Sequence, residues 1–199
     1  TFDVTVIDDI KPEIAAPNNI STVATSAQGA IVNYTTPVGT DNCSVTTAMT
    51  SGLADGATFP IGTTVVTYVA TDGSGNDASA SFNVEVVGIA PVIVVPANIT
   101  VNTDANECGA IVTFAATDAT GIPNSVITYD IQPDTFFEVG TTTVTATATN
   151  AVGTAISTFD VTVIDDIKPE IAAPNNISTV ATSAQGAIVN YTTPVGTDN

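Results

Sequence analysis

Twenty acidic side chains, two cysteines and no histidine set the chemistry open to this chain of 199 residues. Without imidazole, a His-based triad, an imidazole general base and a His-bound zinc are all out of reach. No glycine-rich loop follows a strand in the manner of a phosphate cradle. Paired carboxylates can hydrolyse a glycosidic bond, but the adjacent Asp8 and Asp9 read as a linker, and open loops between strands do not enclose a sugar ring. No catalytic residue is therefore expected, and the chain reads as a non-enzyme with no organic cofactor. Two chemistries remain. Carboxylates on flexible loops can collect calcium, which takes about six to eight oxygen ligands. Cysteines can bridge, provided their Cα atoms come within about 7 Å.

The acids outnumber Lys11 and Lys168, the two basic residues, to give a formal charge of −18. Nucleic-acid binding needs Lys and Arg against phosphate, so it is excluded as a function, and docking on anionic lipid fails for the same reason. The acids are spread along the chain, which also suits solubility and repulsion between neighbouring molecules. No run of apolar residues is long enough to insert in a membrane. The 44% hydrophobic content is dominated by Val, Ala and Ile, with abundant Thr. These β-branched residues fit a pleated, half-buried surface, so the elements that must carry the acids and cysteines are strands.

Internal repetition organises those strands. Residues 1–42 recur without change at 158–199, a period of 157 residues. Inside the period lies a diverged half-repeat. PEIAAPNNIS from Pro12 matches PVIVVPANIT from Pro91, GAIVNY from Gly29 matches GAIVTF from Gly109, and FPIGTTVVTYVATD from Phe59 matches FEVGTTTVTATATN from Phe137. The chain therefore reads as a window on a longer array of two alternating domain types. Residues 1–9 are the last strand of a preceding even-type domain, 10–88 an odd-type domain, 89–166 an even-type domain, and 167–199 the first part of the next odd-type domain.

Period-two alternation marks the strands. Phe82, Val84 and Val86 share one face, as do Phe159, Val161 and Val163. In the odd type the strands are expected at Glu13–Val23, Ala30–Thr36, Val45–Thr50, Ala57–Pro60, Thr63–Thr71 and Ala78–Val87, with the strand between the third and fourth weak or missing. About seven short strands with turns at such spacing predict an all-β fold of tandem immunoglobulin-like β-sandwiches, strung as a rod or filament.

The combination of PANITV at 96–101, ECGAIVTF at 107–114, TDNC at 40–43 and FEVGTTTVTATATN at 137–150 resembles the hyalin repeat (HYR) module across both full domains. That resemblance implies an extracellular, immunoglobulin-like module of adhesion proteins. Acidic, Thr-rich arrays of this kind are also similar to the gliding-motility adhesins of the SprB type, which implies a bacterial cell surface and type IX secretion. HYR modules often carry more cysteines, so their usual bridges within a domain look absent here.

Cys43 lies in the loop after the second odd-type strand, at the leading end of its domain. Cys108 lies just before the second even-type strand, at the trailing end of its domain. With a rise of about 3.3 Å per residue each domain is roughly 30–40 Å long, too long for Cys43 and Cys108 to bridge each other. Each is expected to pair with a cysteine of a neighbouring repeat: Cys108 with the one that periodicity places after Asp198 and Asn199, and Cys43 with a Cys108 equivalent before it. The alternative is a pair of unbridged thiols. The same even-to-odd junction gathers acids: Asp8, Asp9, Asp41, Asp72 and Asp77 on the odd side, Asp104 and Glu107 on the even side, and Asp165, Asp166 and Asp198 one period on. These are the candidate calcium ligands; the alternative is that aspartates close turns. Asn19, Asn42 and Asn98 head N-glycosylation tripeptides, which are expected by chance in a chain so rich in Asn, Ser and Thr.

Three functions fit. The repeats form a stalk that extends or transmits force to an adhesive region, their partners being neighbouring repeats of the same polypeptide. Or the loops are multivalent modules that grip a surface glycan or protein. Or the chains assemble laterally into a filament or sheath.

Overall fold

The computed structural model describes residues 1–118 and 120–198, so Asn199, expected in a loop of the junction, lies outside the described residues. The first repeat has six strands: β1 (Ile20–Val23), β2 (Ala30–Ile31), β3 (Val45–Ser51), β4 (Thr58–Phe59), β5 (Gly62–Asp72) and β6 (Asp77–Val87). They form a four-stranded sheet in the order β1-β6-β5-β3, faced by the pair β2-β4. The second repeat continues with β7 (Ile93–Val94), β8 (Ile99–Asn102), β9 (Gly109–Val112), β10 (Thr117–Asp118), β11 (Val126–Tyr129), β12 (Thr135–Glu138), β13 (Gly140–Thr149) and β14 (Thr154–Ile164). Its large sheet runs β11-β13-β14-β8, with the pairs β12-β9 and β10-β7. The fold is all-β, a tandem of immunoglobulin-like sandwiches. In both repeats the first long-sheet strand pairs parallel with the last: β1 with β6 and β14 with β8, each over four residue pairs. Among the described residues no helix is long and apolar enough to cross a membrane.

The core obeys the alternation. Phe59, Val66, Val84 and Val86 are fully buried in the first repeat, with Val144, Val161 and Val163 in the second. Each such side chain contributes about 1.5–3 kcal/mol on burial. Tyr34 packs edge-on against Phe59, Tyr68 and Phe82, and Phe114 packs likewise against Tyr129, Phe137 and Phe159. Between the repeats one aromatic changes strand. Tyr68 of β5 lies opposite Met49 of β3; at the position of Tyr68 the second repeat has Ala146, and β11 supplies Tyr129 instead. Volume is moved between facing strands rather than lost, which a close-packed core requires.

Three strands are shorter than expected, β4 by only one residue at each end. The first was expected over Glu13–Val23, but only Ile20–Val23 forms a ladder, and Glu13 makes an isolated bridge to Thr40. Pro17 between them has no N–H to give. The second was expected over Ala30–Thr36, but its ladder covers only Ala30–Ile31, with Val32 still bonded to Ala57 O at 3.2 Å and to the Gly56 N–H at 3.0 Å. Beyond it, the Tyr34 N–H donates 2.7 Å to Asp55 Oδ1, so a side chain replaces the missing strand partner.

The exact repetition places identical sequences in two settings. Residues 158–164 lie within β14, hydrogen-bonded to β13 and β8, and Phe159 is 3% exposed; residues 1–9 have neither neighbour, form no strand, and leave Phe2 88% exposed. In 167–198 the strands β15 (Glu170–Ile171) and β16 (Gly196–Thr197) pair as Glu13 and Thr40 do, while Tyr191 stays 67% exposed against 8% for Tyr34.

The chain divides into two compact units. One comprises Thr1–Val94, Thr117–Thr128 and Thr147–Ile156; the other comprises Val95–Ala116, Tyr129–Ala146 and Ser157–Asn199. The leading end of the second repeat thus belongs to the same unit as the first repeat.

Candidate functional site

The leading end of the first repeat is built from the linker 8–11, the loop before β3 and the loop between β5 and β6. Asp72 ends β5 and is 7% exposed, the one buried charged residue among those described. Its Oδ1 accepts the N–H groups of Ser74 and Asn76, and its Oδ2 accepts from Asn76 Nδ2 at 2.8 Å. The Asn76 side chain above all, then these backbone donors, holds the Asp72 carboxyl below the usual carboxylate range, against an opposing push from burial. Asn76 Nδ2 also donates to the linker carbonyls of Asp8 at 3.1 Å and Ile10 at 3.3 Å. The loop therefore fixes the linker backbone.

Fixing Asp8 aims its carboxylate. Oδ1 accepts from the Ile10 N–H at 3.2 Å, and Oδ2 is buried without a hydrogen-bond partner. Asp41 is arranged similarly: Oδ2 accepts from the Cys43 N–H at 3.1 Å, and Oδ1 is buried and unpartnered. One ligand atom from each of Asp8, Asp41 and Cys43 lies within 4.8 Å of the other two. Cys43 is exposed and carries no disulfide. A hydrogen bond to the Asp8 carboxylate first, then its charge, with smaller pushes from burial, Asp41 and Asp72, raises the thiol above the ordinary range. Beside the group lies an open cavity of ≈ 270 Å³ lined by Ile10, Lys11, Glu13, Thr40, Asp41 and Asn42.

Other acids expected at this junction stand elsewhere. Asp9 and Asp77 are exposed, and Asp72 spends both oxygens on its own loop. At the trailing end of the second repeat, Asp104 closes the turn before β9: its N–H donates to Gly109 O at 2.7 Å and its Oδ2 accepts from the Ile111 N–H at 2.9 Å. Glu107 and Cys108 are exposed in the same turn. Asp165 repeats the Asp8 contact, accepting from the Ile167 N–H at 3.0 Å, and Asp166 accepts from Asn102 Nδ2 at 3.0 Å. Asp198 lines a cavity of ≈ 200 Å³ with Ile167, Lys168, Glu170, Thr197 and Asn106. Apart from Asn106, each of these has its counterpart one period earlier in the lining of the first cavity. Asn106, held at φ 62 in the turn that carries Cys108, is the wall added by the preceding repeat.

Asn76 was not legible as a site residue, nor was Asn150, which the half-repeat aligns with Asp72. Asn150 Oδ1 caps its loop by accepting the N–H groups of Val152 and Gly153, and its Nδ2 donates to Ile89 O at 2.9 Å and Pro123 O at 2.8 Å. Both amides tie the loop after the first of their repeat's two long strands, β5 or β13, to a linker. No signal in the sequence joins them: both loops have four residues, but Asn76 is the last of one and Asn150 the first of the other.

A family model described as the HYR domain matches residues 7–86 and again 89–163. The hyalin of Strongylocentrotus purpuratus is 35% identical over 213 aligned positions that cover 100% of this chain and 18% of that protein. The hyalin of Lytechinus variegatus is 34% identical, covering 100% of this chain and 40% of that protein. The chain thus spans well under half of these relatives' length. Among solved structures, the titin domains Z1Z2 in complex with telethonin align over 78% of this chain and 97% of theirs, with 18% identity and a TM-score of 0.44.

Proposed function

Because this chain belongs to the HYR-domain family, we propose that it is a repeat segment of a long extracellular surface stalk, which extends and transmits force to an adhesive region. The observation that carries this reading is that the joint recurs with the period. Five of the six residues lining the cavity at the start of the first repeat line another one 157 positions later, where the preceding repeat adds Asn106. Selection for length and for joints needs no unique ligand site. The animal hyalins lend nothing to a gliding-motility adhesin or to type IX secretion; that narrower reading rests on acidic, Thr-rich repetition alone.

Two fastenings belong to the proposal. Calcium is held at the even-to-odd joint, with Asp8 and Asp41 as its first ligands. Two carboxylates that each bury an oxygen so close together, beside the Cys43 thiol, attract a cation between them. A disulfide then joins Cys108 to the counterpart of Cys43 in the next repeat, since Asn106, two residues from Cys108, shares a cavity with Asp198, two residues before that counterpart. The bridge acts mainly on the freedom of the joint.

Both fastenings are tested together. Thermal melting in calcium at a hundred times its Kd is expected to stabilise the chain by about 2.7 kcal/mol over melting in EDTA. Asp41→Asn is expected to abolish the difference. Non-reducing peptide mapping of the native array is expected to recover the Cys108 peptide linked to a Cys43-type peptide. A melt indifferent to calcium removes the cation, and a map with only unbridged cysteine peptides removes the staple.

A further inference from the structure

The joint between the first and second repeats carries no acid, either in its linker Gly88–Ile89–Ala90 or in the loop 150–153. Its contacts lie within one compact unit. Ile89 and Ile122 exchange both backbone hydrogen bonds, Ile89 N–H to Ile122 O at 2.8 Å and Ile122 N–H to Ile89 O at 3.0 Å. Ile122 and Ile61 pack on the core of the first repeat, so a loop of the second repeat reaches past the linker to the sandwich before it. Gly88 has no room for a side chain: a Cβ there would lie 2.5 Å from Val152 Cγ2 and 2.8 Å from Ile122 O. Asn150 closes the arrangement by bonding the carbonyls of Ile89 and Pro123.

We propose that Gly88–Ile89 is a latch, clasped by Ile122, Val152 and Asn150 of the second repeat, that fixes this joint without metal or disulfide. Every polar group named is paired, and the apolar ones are in contact, so closure needs nothing from solution. The array then alternates two kinds of joint. One is fixed by the fold, and the other depends on the acids and cysteines of the even-to-odd junction.

Amide hydrogen exchange on the full chain, read by NMR in EDTA and reductant, tests the latch whatever becomes of calcium and the staple. The Ile89 and Ile122 amides are expected to exchange at least ~100-fold more slowly than solvent-exposed loop amides. Asn150→Asp keeps the shape and the loop cap but turns a carboxylate toward two carbonyls. It is expected to speed both amides at least ~10-fold while the Val66 and Val144 amides, deep in the sheets, are unchanged. Gly88→Val is expected to do the same by displacing Val152 and Ile122. Loop-like exchange in the unaltered chain overturns the proposal, and so does Asn150→Asp with both amides still slow. Should Gly88→Val also release Val66 and Val144, the Asn150→Asp result decides.

Discussion

Tyr34 satisfies two backbone groups and fills a core at once. Its hydroxyl donates to Leu53 O at 2.7 Å and lies 3.1 Å from the Tyr68 hydroxyl, while its N–H bonds Asp55. Burial first, then the hydrogen bond and charge of Tyr68, raise its pKa well above the ordinary phenol value. The folded chain therefore keeps a proton that the unfolded chain loses near pH 10. The stability this contributes is complete below about pH 10 and is lost as pH rises toward the folded value. Tyr34→Phe is expected to cost about 1–2 kcal/mol in urea denaturation at pH 7, because Leu53 O and Tyr68 lose a partner. It should also flatten the decline above about pH 10. A fall in stability as steep as that of the parent chain counts against it. The ring itself is accommodated, since Phe114 holds the same place in the second repeat. At this scale the sequence displayed candidates by type, as with Asp8, Asp41 and Cys43. It hid Asn76 and Asn150, whose amides act on carbonyls far along the chain and obey no period.

Among elements, the identical copies separate what a segment folds alone from what it borrows. The turn before β2 closes with Thr25 N–H to Gly29 O at 3.0 Å, and its copy closes with Thr182 N–H to Gly186 O at 3.1 Å. That turn is local, and the glycines adopt φ 118 and 112 in both settings. Burial of the residues just after the turn is not local: Val32 is 5% exposed where β5 and β6 cover it, and Val189 is 44% exposed. Alternation told which residues could face a core, and so placed β5 and β6 closely. It could not tell where the ladders of β1 and β2 stop, since those limits are set by Pro17 and by Asp55 standing in for a strand. Gly29→Ala would drive a Cβ into the Phe59 carbonyl, whereas a Cβ at Gly186 meets nothing within 4 Å. Gly29→Ala is expected to destabilise the first repeat by about 2–4 kcal/mol, and Gly186→Ala, which meets only the strain of its φ, to cost about 1 kcal/mol. Equal losses would mean that the turn, rather than the approach of β2 to β4, sets the cost.

For the whole molecule, the unit of construction is a pair of unlike sandwiches, and repetition at 157 residues was the plainest signal in the sequence. The formal charge of −18 makes neighbouring chains repel, so electron microscopy of the native assembly is expected to show separate thin fibres with a repeat of about 80 Å. Bundles held by lateral contacts would favour a sheath instead. That acids and cysteines fall at alternate joints was legible in the sequence. The latch at Gly88 was not, because it is made of close approach and paired amides. In each sandwich the first and last strands of the long sheet run parallel, Ile20–Val23 beside Val84–Val87 and Ile99–Asn102 beside Val161–Ile164. A pull on the two ends of a repeat drags these neighbours past each other lengthwise. All four residue pairs are then strained in shear together, and none can be peeled first as in a hairpin unzipped from its open end. Rupture of either sheet by such a pull must therefore wait for several bonds to fail at once.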